Sequence, residues 1–301
     1  MNKIVIITGL TGSGKSSLAR FFAENYNGEI VSVDSVQIYR KLDIGSAKEP
    51  IEIRNKIKHH LIDIKDFDEN YNVAEFITDC TNAINDIISR NKLPILVGGT
   101  GLYIKALLQG YNLGEVAANN EFRQQKQTEA EEKGNIYVWE QLNKINPEKA
   151  KTVHHNNLKR VIRYLEMETF GSTPTTVEKP LKNFNICAIG LIEERESIYN
   201  RINNRVDEMM NDGLFYEVKN LYALGAKREH QSMNSIGYKE WFDYFENKTD
   251  YNKTIELIKQ HTRNYCKRQL TFLKTMPELY LCNLATAKQT IKEFINDNNN
   301  K

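Results

Sequence analysis

The sequence predicts an α/β protein: a phosphate-loop core, with a parallel sheet flanked by helices, plus a helical insertion domain. Three observations carry this prediction. Short apolar runs alternate with amphipathic segments from residue 3 to residue 108, the pattern of a parallel sheet covered on both faces. A glycine-rich run at residues 9–16 joins the first apolar run to the first amphipathic segment. From about residue 114 to residue 176 the strand signal fades, and a helical, charged stretch interrupts the alternation.

The elements follow in order. Ile4-Val5-Ile6-Ile7 lies in a strand expected over residues 3–8, and further strands are expected over 29–34, 93–97 and 185–191. Helices are expected directly after residue 16, over 73–89 and over 100–108. In the middle, residues 121–134 have helical composition, and 138–142 and 158–170 are amphipathic, with Asn146-Pro147 between them. A connection this long between parallel strands is unusual, which favours an insertion over ordinary covering helices. The expected organisation is a core of residues 1–113 and 177–301 and an insertion of residues 114–176. After residue 191 the pattern is almost all helical, over 195–210, 215–223, 235–246 and 251–275.

Composition narrows the class. A chain of 301 residues with 40% hydrophobic residues can bury a sizeable core. The net charge of +2 does not advertise a nucleic-acid partner, so local clusters have to be examined. Cys80, Cys187, Cys266 and Cys282 are far apart without CxxC spacing, which reads as free thiols in a reducing cytoplasm and not as a zinc site. The N-terminal apolar run is too short for a signal peptide, and no stretch approaches membrane-spanning length.

Gly9-Leu10-Thr11-Gly12-Ser13-Gly14-Lys15-Ser16 is a complete G-x-x-x-x-G-K-[ST] phosphate loop in its required context of strand, turn and helix N-terminus. Its glycines let backbone N–H groups close on phosphate oxygens, the helix adds its positive end, Lys15 reaches a phosphate and Ser16 can place a hydroxyl on Mg²⁺. In a parallel sheet ligands sit at the carboxyl ends of the strands. Three such ends carry conspicuous sequence: residues 9–16, Asp34-Ser35-Val36-Gln37, and Gly98-Gly99-Thr100-Gly101; these loops are expected to meet at one site. Asp34 can hold Mg²⁺ through water or accept a proton from a nucleophile; a plain helix cap is the third reading. His59-His60 read as a structural pair hydrogen-bonded near the site in preference to catalytic groups.

Two clusters are basic. Residues 149–163 hold Lys149, Lys151, Lys159, Arg160 and Arg163 with His154 and His155; residues 259–274 hold Lys259, Arg263, Lys267, Arg268 and Lys274 with His261. Neither window contains a carboxylate, and Lys259, Arg263 and Lys267 fall on one helical face. A solvated helix face explains either cluster alone; two in a nearly neutral chain shift the balance toward a phosphate backbone.

Several motifs then line up. Besides residues 9–16 they are Ser32-Val33-Asp34-Ser35-Val36-Gln37-Ile38-Tyr39, Asp43-Ile44-Gly45-Ser46-Ala47-Lys48, His59-His60-Leu61-Ile62-Asp63, and Leu96-Val97-Gly98-Gly99-Thr100-Gly101-Leu102-Tyr103. Further on come Arg160-Val161-Ile162-Arg163-Tyr164-Leu165-Glu166, Arg201 with Arg205, Ser235-Ile236-Gly237-Tyr238-Lys239-Glu240, and residues 262–272. Together, over residues 3–275, the chain resembles the tRNA dimethylallyltransferases (tRNA isopentenyltransferases). It departs from their usual pattern at Leu10 and Gly12, where proline and alanine are common, and at Phe272, where tryptophan is.

The resemblance implies a cytoplasmic, monomeric transferase that moves a dimethylallyl group from dimethylallyl diphosphate to N6 of the adenosine 3′-adjacent to the anticodon of tRNA, with Mg²⁺ as cofactor and no membrane partner. It implies Asp34, Thr100 and Arg205 as catalytic residues, residues 9–16 as the diphosphate site, and Ser16 as the metal ligand. It assigns tRNA contacts to Asp34, Ser35, Val36, Gln37, Thr100, Arg123, Lys159, Arg160, Val161, Ile162, Arg163, Gly237, Tyr238, Lys267, Arg268 and Gln269. Three rivals stay open at this stage: a small-metabolite kinase, an isopentenyltransferase acting on free adenine nucleotides, and an RNA-binding scaffold with a vestigial phosphate loop.

Overall fold

The structure is a computed structural model and describes residues 1–110, 119–171 and 179–297. The chain divides into two compact units, Met1–Gly110 with Lys179–Lys301, and Tyr111–Glu178. The expected borders of the insertion, 113/114 and 176/177, lie outside the described residues.

In the first unit the chain runs through β1 (Lys3–Gly9), α1 (Lys15–Asn25), β2 (Gly28–Ser32), α2 (Ile51–Lys56), β3 (His59–His60), α3 (Val73–Ser89), β4 (Leu93–Val97) and α4 (Gly101–Gln109). The helical unit holds α5 (Asn120–Lys133), α6 (Asn135–Ile145), α7 (Pro147–Lys151) and α8 (Leu158–Phe170). The first unit then resumes with β5 (Asn185–Leu191), α9 (Arg195–Asn211), α10 (Leu214–Ala223), a 3₁₀ turn at Ser232–Asn234, α11 (Lys239–Phe245), α12 (Tyr251–Leu273), β6 (Tyr280–Cys282) and α13 (Leu284–Asn296).

Six parallel strands pair in the order β3-β2-β4-β1-β5-β6. From Ile4 to Gly9, β1 is buried throughout, as a central parallel strand covered on both faces must be. It is flanked by β4, with Ile7 opposite Val97, and by β5, with Gly9 opposite Leu191. The chain moves to one side of β1 for β2–β4 and to the other for β5 and β6, so the order reverses at β1, where a ligand crevice is expected in such sheets. One layer of core packs α3, α4, α9 and α12 residues such as Phe76, Ile84, Leu107, Ile202 and Cys266; a second packs Leu18 and Phe22 of α1 with Ala287 and Ile291 of α13.

Local sequence explains the clearest helices. Asn72 accepts hydrogen bonds from the Ala74 and Glu75 amides (2.8 and 3.1 Å) while Glu75 accepts one from the Asn72 amide (3.0 Å), a capping box that starts α3. Its buried residues Phe76, Cys80, Ala83, Ile84 and Ile87 then recur at helical spacing. Pro147 fixes the first turn of α7.

Some expected elements shift. β2 ends at Ser32, not at residue 34: the Val33 amide still donates to Val97 (2.8 Å), and the chain then turns so that Asp34 lies beyond the ladder. The helix expected over 235–246 starts only at Lys239, because Gly237 adopts a left-handed φ of 94°. The sequence pattern does not mark α2, α7, β3, β6 or α13; His59-His60 form β3 beside Ile30 and Val31. In the helical unit, Val138, Leu142, Ala150, Val161, Ile162 and Leu165 make a separate core. All four cysteines are buried and unpaired, as free thiols.

Candidate active site

The phosphate loop follows β1 with little room. A Cβ on Gly9 would fall 2.4 Å from the Leu191 carbonyl oxygen, so only glycine passes β5 there. Gly14, at φ 85°, turns the chain into α1, and the Ser13 amide closes the loop on the Leu10 carbonyl at 3.1 Å. Among the described residues, the amides of Gly12, Gly14, Lys15 and Ser16 have no acceptor within the protein, and the Ser13 hydroxyl is buried without a partner. With the N-terminus of α1, these donors form an anion cradle. Lys15 Nζ donates to the Leu10 carbonyl at 2.6 Å. Burial, and then the Arg205 guanidinium, lower the Lys15 pKa to about 8, with Asp34 opposing them.

Asp34 Oδ1 accepts from the Val36 amide at 2.8 Å and more weakly from Gln37 at 3.4 Å, so the carboxylate organises its own turn. Burial raises its pKa above the ordinary aspartate value, against these two amides, Lys15 and Arg205. Thr100 Oγ1 accepts from the Ser35 amide at 3.0 Å and donates to Ser35 Oγ at 3.3 Å, which joins the loop after β4 to the loop after β2. The Gln37 carboxamide bridges Ser32 Oγ (2.8 Å) and the Ser46 and Ala47 carbonyls (3.2 Å each).

Two helices close the site from the C-terminal half. On α9, Arg201 donates to the Gly12 carbonyl at 3.1 Å and pairs with Glu193, bracing the phosphate loop. One turn on, Arg205 has its pKa lowered by burial, with Asp34 the strongest opposing charge. On α12, Gln269 accepts from the Thr11 amide at 3.0 Å and donates to the Gly99 carbonyl at 3.0 Å. The three strand-end loops therefore meet, and Lys15, Arg205 and Asp34 lie close enough to shift one another's titration. Dense positive charge beside a carboxylate of raised pKa suits a reaction in which an anionic leaving group departs while a weakly acidic nucleophile loses a proton.

The sequence model of the IPP transferase family matches residues 37–276. The chain belongs to that family. A tRNA dimethylallyltransferase of Halothermothrix orenii is 43% identical over 288 residues, covering 94% of this chain and 88% of its own length. One of an Exiguobacterium species is 44% identical over 271 residues, 90% and 87% of the two chains. Among solved structures, the full-length tRNA isopentenylpyrophosphate transferase of Bacillus halodurans superposes with a TM-score of 0.72 at 38% identity, covering 98% of this chain and 96% of its own. A eukaryotic dimethylallyltransferase captured acting on tRNA gives 0.75 at 28% identity, over 98% and 80%.

Several residues expected to touch tRNA have side chains that are buried or paired within the protein. Val161 and Ile162 point into the core of the helical unit, and Tyr238 and Gln269 are buried, so none presents its side chain on a surface. Tyr238 instead donates to Glu217 at 2.7 Å and packs so tightly on Gly45 that a Cβ there would lie 2.6 Å from its ring. Gly237 serves that turn, its amide donating to Glu240 at 2.8 Å. Arg123 and Arg163 both pair with Glu166, a fully buried carboxylate. Burial pushes the Glu166 pKa up, but the two guanidiniums and the Asn119 amide outweigh it and hold it below the ordinary range. Lys149 pairs with Glu168 at 2.6 Å and Arg160 with the Tyr164 hydroxyl at 2.7 Å, whereas Lys159 is exposed.

The second cluster divides likewise. Lys259 pairs with Asp207 at 2.8 Å and Arg263 donates to Asn203 at 2.5 Å, both on α9, while Lys267 and Arg268 are exposed. His59 donates Nδ1–H to the Ile57 carbonyl and His60 binds Glu29 at 2.8 Å; the pair is hydrogen-bonded as expected, but at the end of the sheet where β2 begins and not near the phosphate loop. Sequence reasoning missed Glu217, which accepts from the Asp43, Ile44 and Gly45 amides, and Lys48, whose buried ammonium joins Asp43 to Asp63. The Asp43–Lys48 motif itself was visible, but its partner Glu217 lies far along the chain.

Proposed function

We propose that the chain transfers a dimethylallyl group from dimethylallyl diphosphate to the exocyclic N6 of the adenosine 3′-adjacent to the anticodon in tRNA. The new bond joins N6 to the allylic carbon; the carbon–oxygen bond to the diphosphate breaks, and pyrophosphate leaves with its electron pair. The observation that carries the reading is the meeting of Lys15, Arg205 and Asp34 where the loops after β1 and β2 come together.

Each residue has a role in that step. The amides of residues 12 and 14–16, Lys15 and Arg205 balance the charge developing on pyrophosphate. Asp34 accepts the N6 proton as the bond forms; its raised pKa brings it nearer to that task. Thr100, held by Ser35, can turn its hydroxyl to the bridging oxygen. The Ser16 hydroxyl, exposed in the first turn of α1, and the diphosphate oxygens are hard donors that fit a divalent cation such as Mg²⁺, which would add Lewis-acid stabilisation of the leaving group. The target base has to leave its stack to reach Asp34. Ser35 and Val36 would line its path, and Lys159 and Arg160 of the helical unit with Lys267 and Arg268 of α12 would hold the RNA backbone. Four buried thiols suit a reducing cytoplasm, where the chain would act as a monomer.

The test is mass spectrometry of tRNA nucleosides after incubation with dimethylallyl diphosphate and Mg²⁺. A gain of one dimethylallyl group on adenosine 3′ of the anticodon is expected. Unmodified tRNA together with ATP turnover in the absence of a prenyl donor would replace this reading with a phosphate-loop kinase.

A further inference from the structure

Gln269 belongs to the exposed basic stretch of α12 by sequence, yet it is only 6% exposed and reaches inward. Its Oε1 accepts from both the amide (3.0 Å) and the hydroxyl (3.1 Å) of Thr11 in the phosphate loop, and its Nε2 donates to the Gly99 carbonyl (3.0 Å) in the loop after β4. A carboxamide offers an acceptor to an N–H on one side and a donor to a C=O on the other, which neither an ionised carboxylate nor an ammonium can do. Tyr265, one turn earlier on the same face, donates its hydroxyl to the same Gly99 carbonyl at 3.2 Å, so that oxygen accepts two bonds from α12.

The glycines of the second loop are shaped to this helix. A Cβ on Gly99 would lie 2.6 Å from Gln269 Nε2, and one on Gly101 would lie 2.5 Å from the Phe272 ring. Thr100 sits between them, its own amide on Val33 and its hydroxyl on Ser35. The bridge therefore fixes the distance between the loop that holds the leaving group and the residue that joins it to the Asp34 turn.

We propose that Gln269 is a positioning residue of the prenyl-transfer site, a clamp that sets the spacing of the phosphate loop against the Thr100 loop, and not an RNA contact. The proposal rests on the function argued above. A misplacement of about 1 Å between reacting groups can cost on the order of 10²-fold in rate, so a clamp of this kind acts on kcat. It takes one amide, that of Thr11, out of the anion cradle and in return holds the remaining ones in place.

The test compares Gln269→Ala and the nearly isosteric Gln269→Glu with the unsubstituted protein. Gln269→Glu keeps an acceptor for Thr11 but sets a carboxylate oxygen against the Gly99 carbonyl. Both should lower kcat by about tenfold or more and weaken Mg²⁺–pyrophosphate binding several-fold by calorimetry, with KM for tRNA within about twofold. Gly99→Ala should be impaired by its clash with Nε2, and adding Gln269→Ala should restore part of that activity, a non-additivity expected of residues that touch. A raised KM for tRNA with kcat and pyrophosphate affinity unchanged would make Gln269 an RNA contact and overturn the clamp, as would three unchanged parameters. If the unsubstituted protein failed to bind pyrophosphate, the diphosphate reading itself would fall, and the clamp with it; if it bound, and the variants bound as well as it does, only the clamp would fall.

Discussion

Asp34 and Lys15 pull each other's titration in opposite directions, and for each of them burial wins. Asp34 is raised and Lys15 is lowered to about 8. If Asp34 takes the N6 proton, Asp34→Ala should reduce kcat by at least ~10²-fold with little change in tRNA affinity, since general base catalysis contributes on that order. The acid limb of kcat should also lie above the ordinary aspartate value of 3.8, the rate falling as pH drops through the raised pKa. A near-normal single-turnover rate in the variant would remove Asp34 from the chemistry. For Lys15 the sign runs the other way. Diphosphate stabilises the ammonium, so the bound pKa lies above about 8. Below that pH the free protein already carries the proton; above it, binding must take one up. Calorimetry of pyrophosphate binding near pH 9, in buffers of different ionisation enthalpy, should show net proton uptake that disappears in Lys15→Ala. At this scale the sequence marks which residues stand at the strand ends, and not which way a side chain turns. Lys15, Asp34 and Thr100 stand in short motifs at strand ends, whereas Gln37, Tyr238 and Gln269 stand in equally clear motifs with their side chains turned inward.

The two long C-terminal helices show why element-level reading fell short for the basic clusters. Helical spacing correctly put Lys259, Arg263 and Lys267 on one stripe of α12, but α9 packs along it and supplies Asp207 and Asn203 to the first two. In the helical unit the acids that neutralise Lys149, Arg123 and Arg163 are Glu168 and Glu166, just outside the window that looked free of carboxylates. Exposed from this cluster are Lys267 and Arg268 on α12, the latter's guanidinium 5.8 Å from the Tyr265 ring centre, and Lys274 just past the helix end. If Lys267 and Arg268 bind RNA phosphates, removing both should flatten the log–log salt dependence of tRNA binding by up to about two units, near one for each phosphate no longer neutralised. Removing Arg160 and Arg163 should change the slope less, since Arg163 is committed to Glu166. Filter retention across a salt series measures both. Unchanged binding in the two double variants would return these residues to an ordinary solvated face.

Across the core as a whole, the two ends of the sheet divide the labour. The carboxyl ends carry the phosphate loop, Asp34 and Thr100; the end where β2, β3 and β4 begin carries a charge knot. There Glu29 is 2% exposed and is bound by Arg90 (2.7 Å), Lys92 (2.8 Å) and His60 (2.8 Å), tying three strands to the end of α3. The alternation of strands and helices that produced this sheet was legible because hydrophobic period and glycine position are local properties. The knot was not, because His60, Arg90 and Lys92 lie 31, 61 and 63 residues from Glu29 and nothing in that spacing marks them as its neighbours. The Arg90 bond, against the cost of burial and with help from Lys92 and His60, holds the Glu29 carboxyl well below its ordinary value of 4.5. A carboxyl depressed by folding stabilises the folded state above its unfolded pKa and loses that contribution as pH falls toward the folded one. Glu29→Gln leaves two cations facing a neutral amide; since Arg90 and Lys92 are each about one-third exposed and keep some hydration, the cost should sit at the low end for breaking a buried pair, about 3 kcal/mol near pH 7. Pyrophosphate affinity should not change, because the knot belongs to the opposite strand ends. Denaturant unfolding of both proteins from pH 7 to pH 3 checks this. The stability gap should hold steady down to about pH 4.5 and narrow below it, because only the unsubstituted protein loses stabilisation as its unfolded chain takes up the Glu29 proton. A gap that stayed constant to pH 3 would mean that folding leaves the Glu29 carboxyl at its ordinary value, and the cost of Glu29→Gln would then come from lost hydrogen bonds and packing and not from charge.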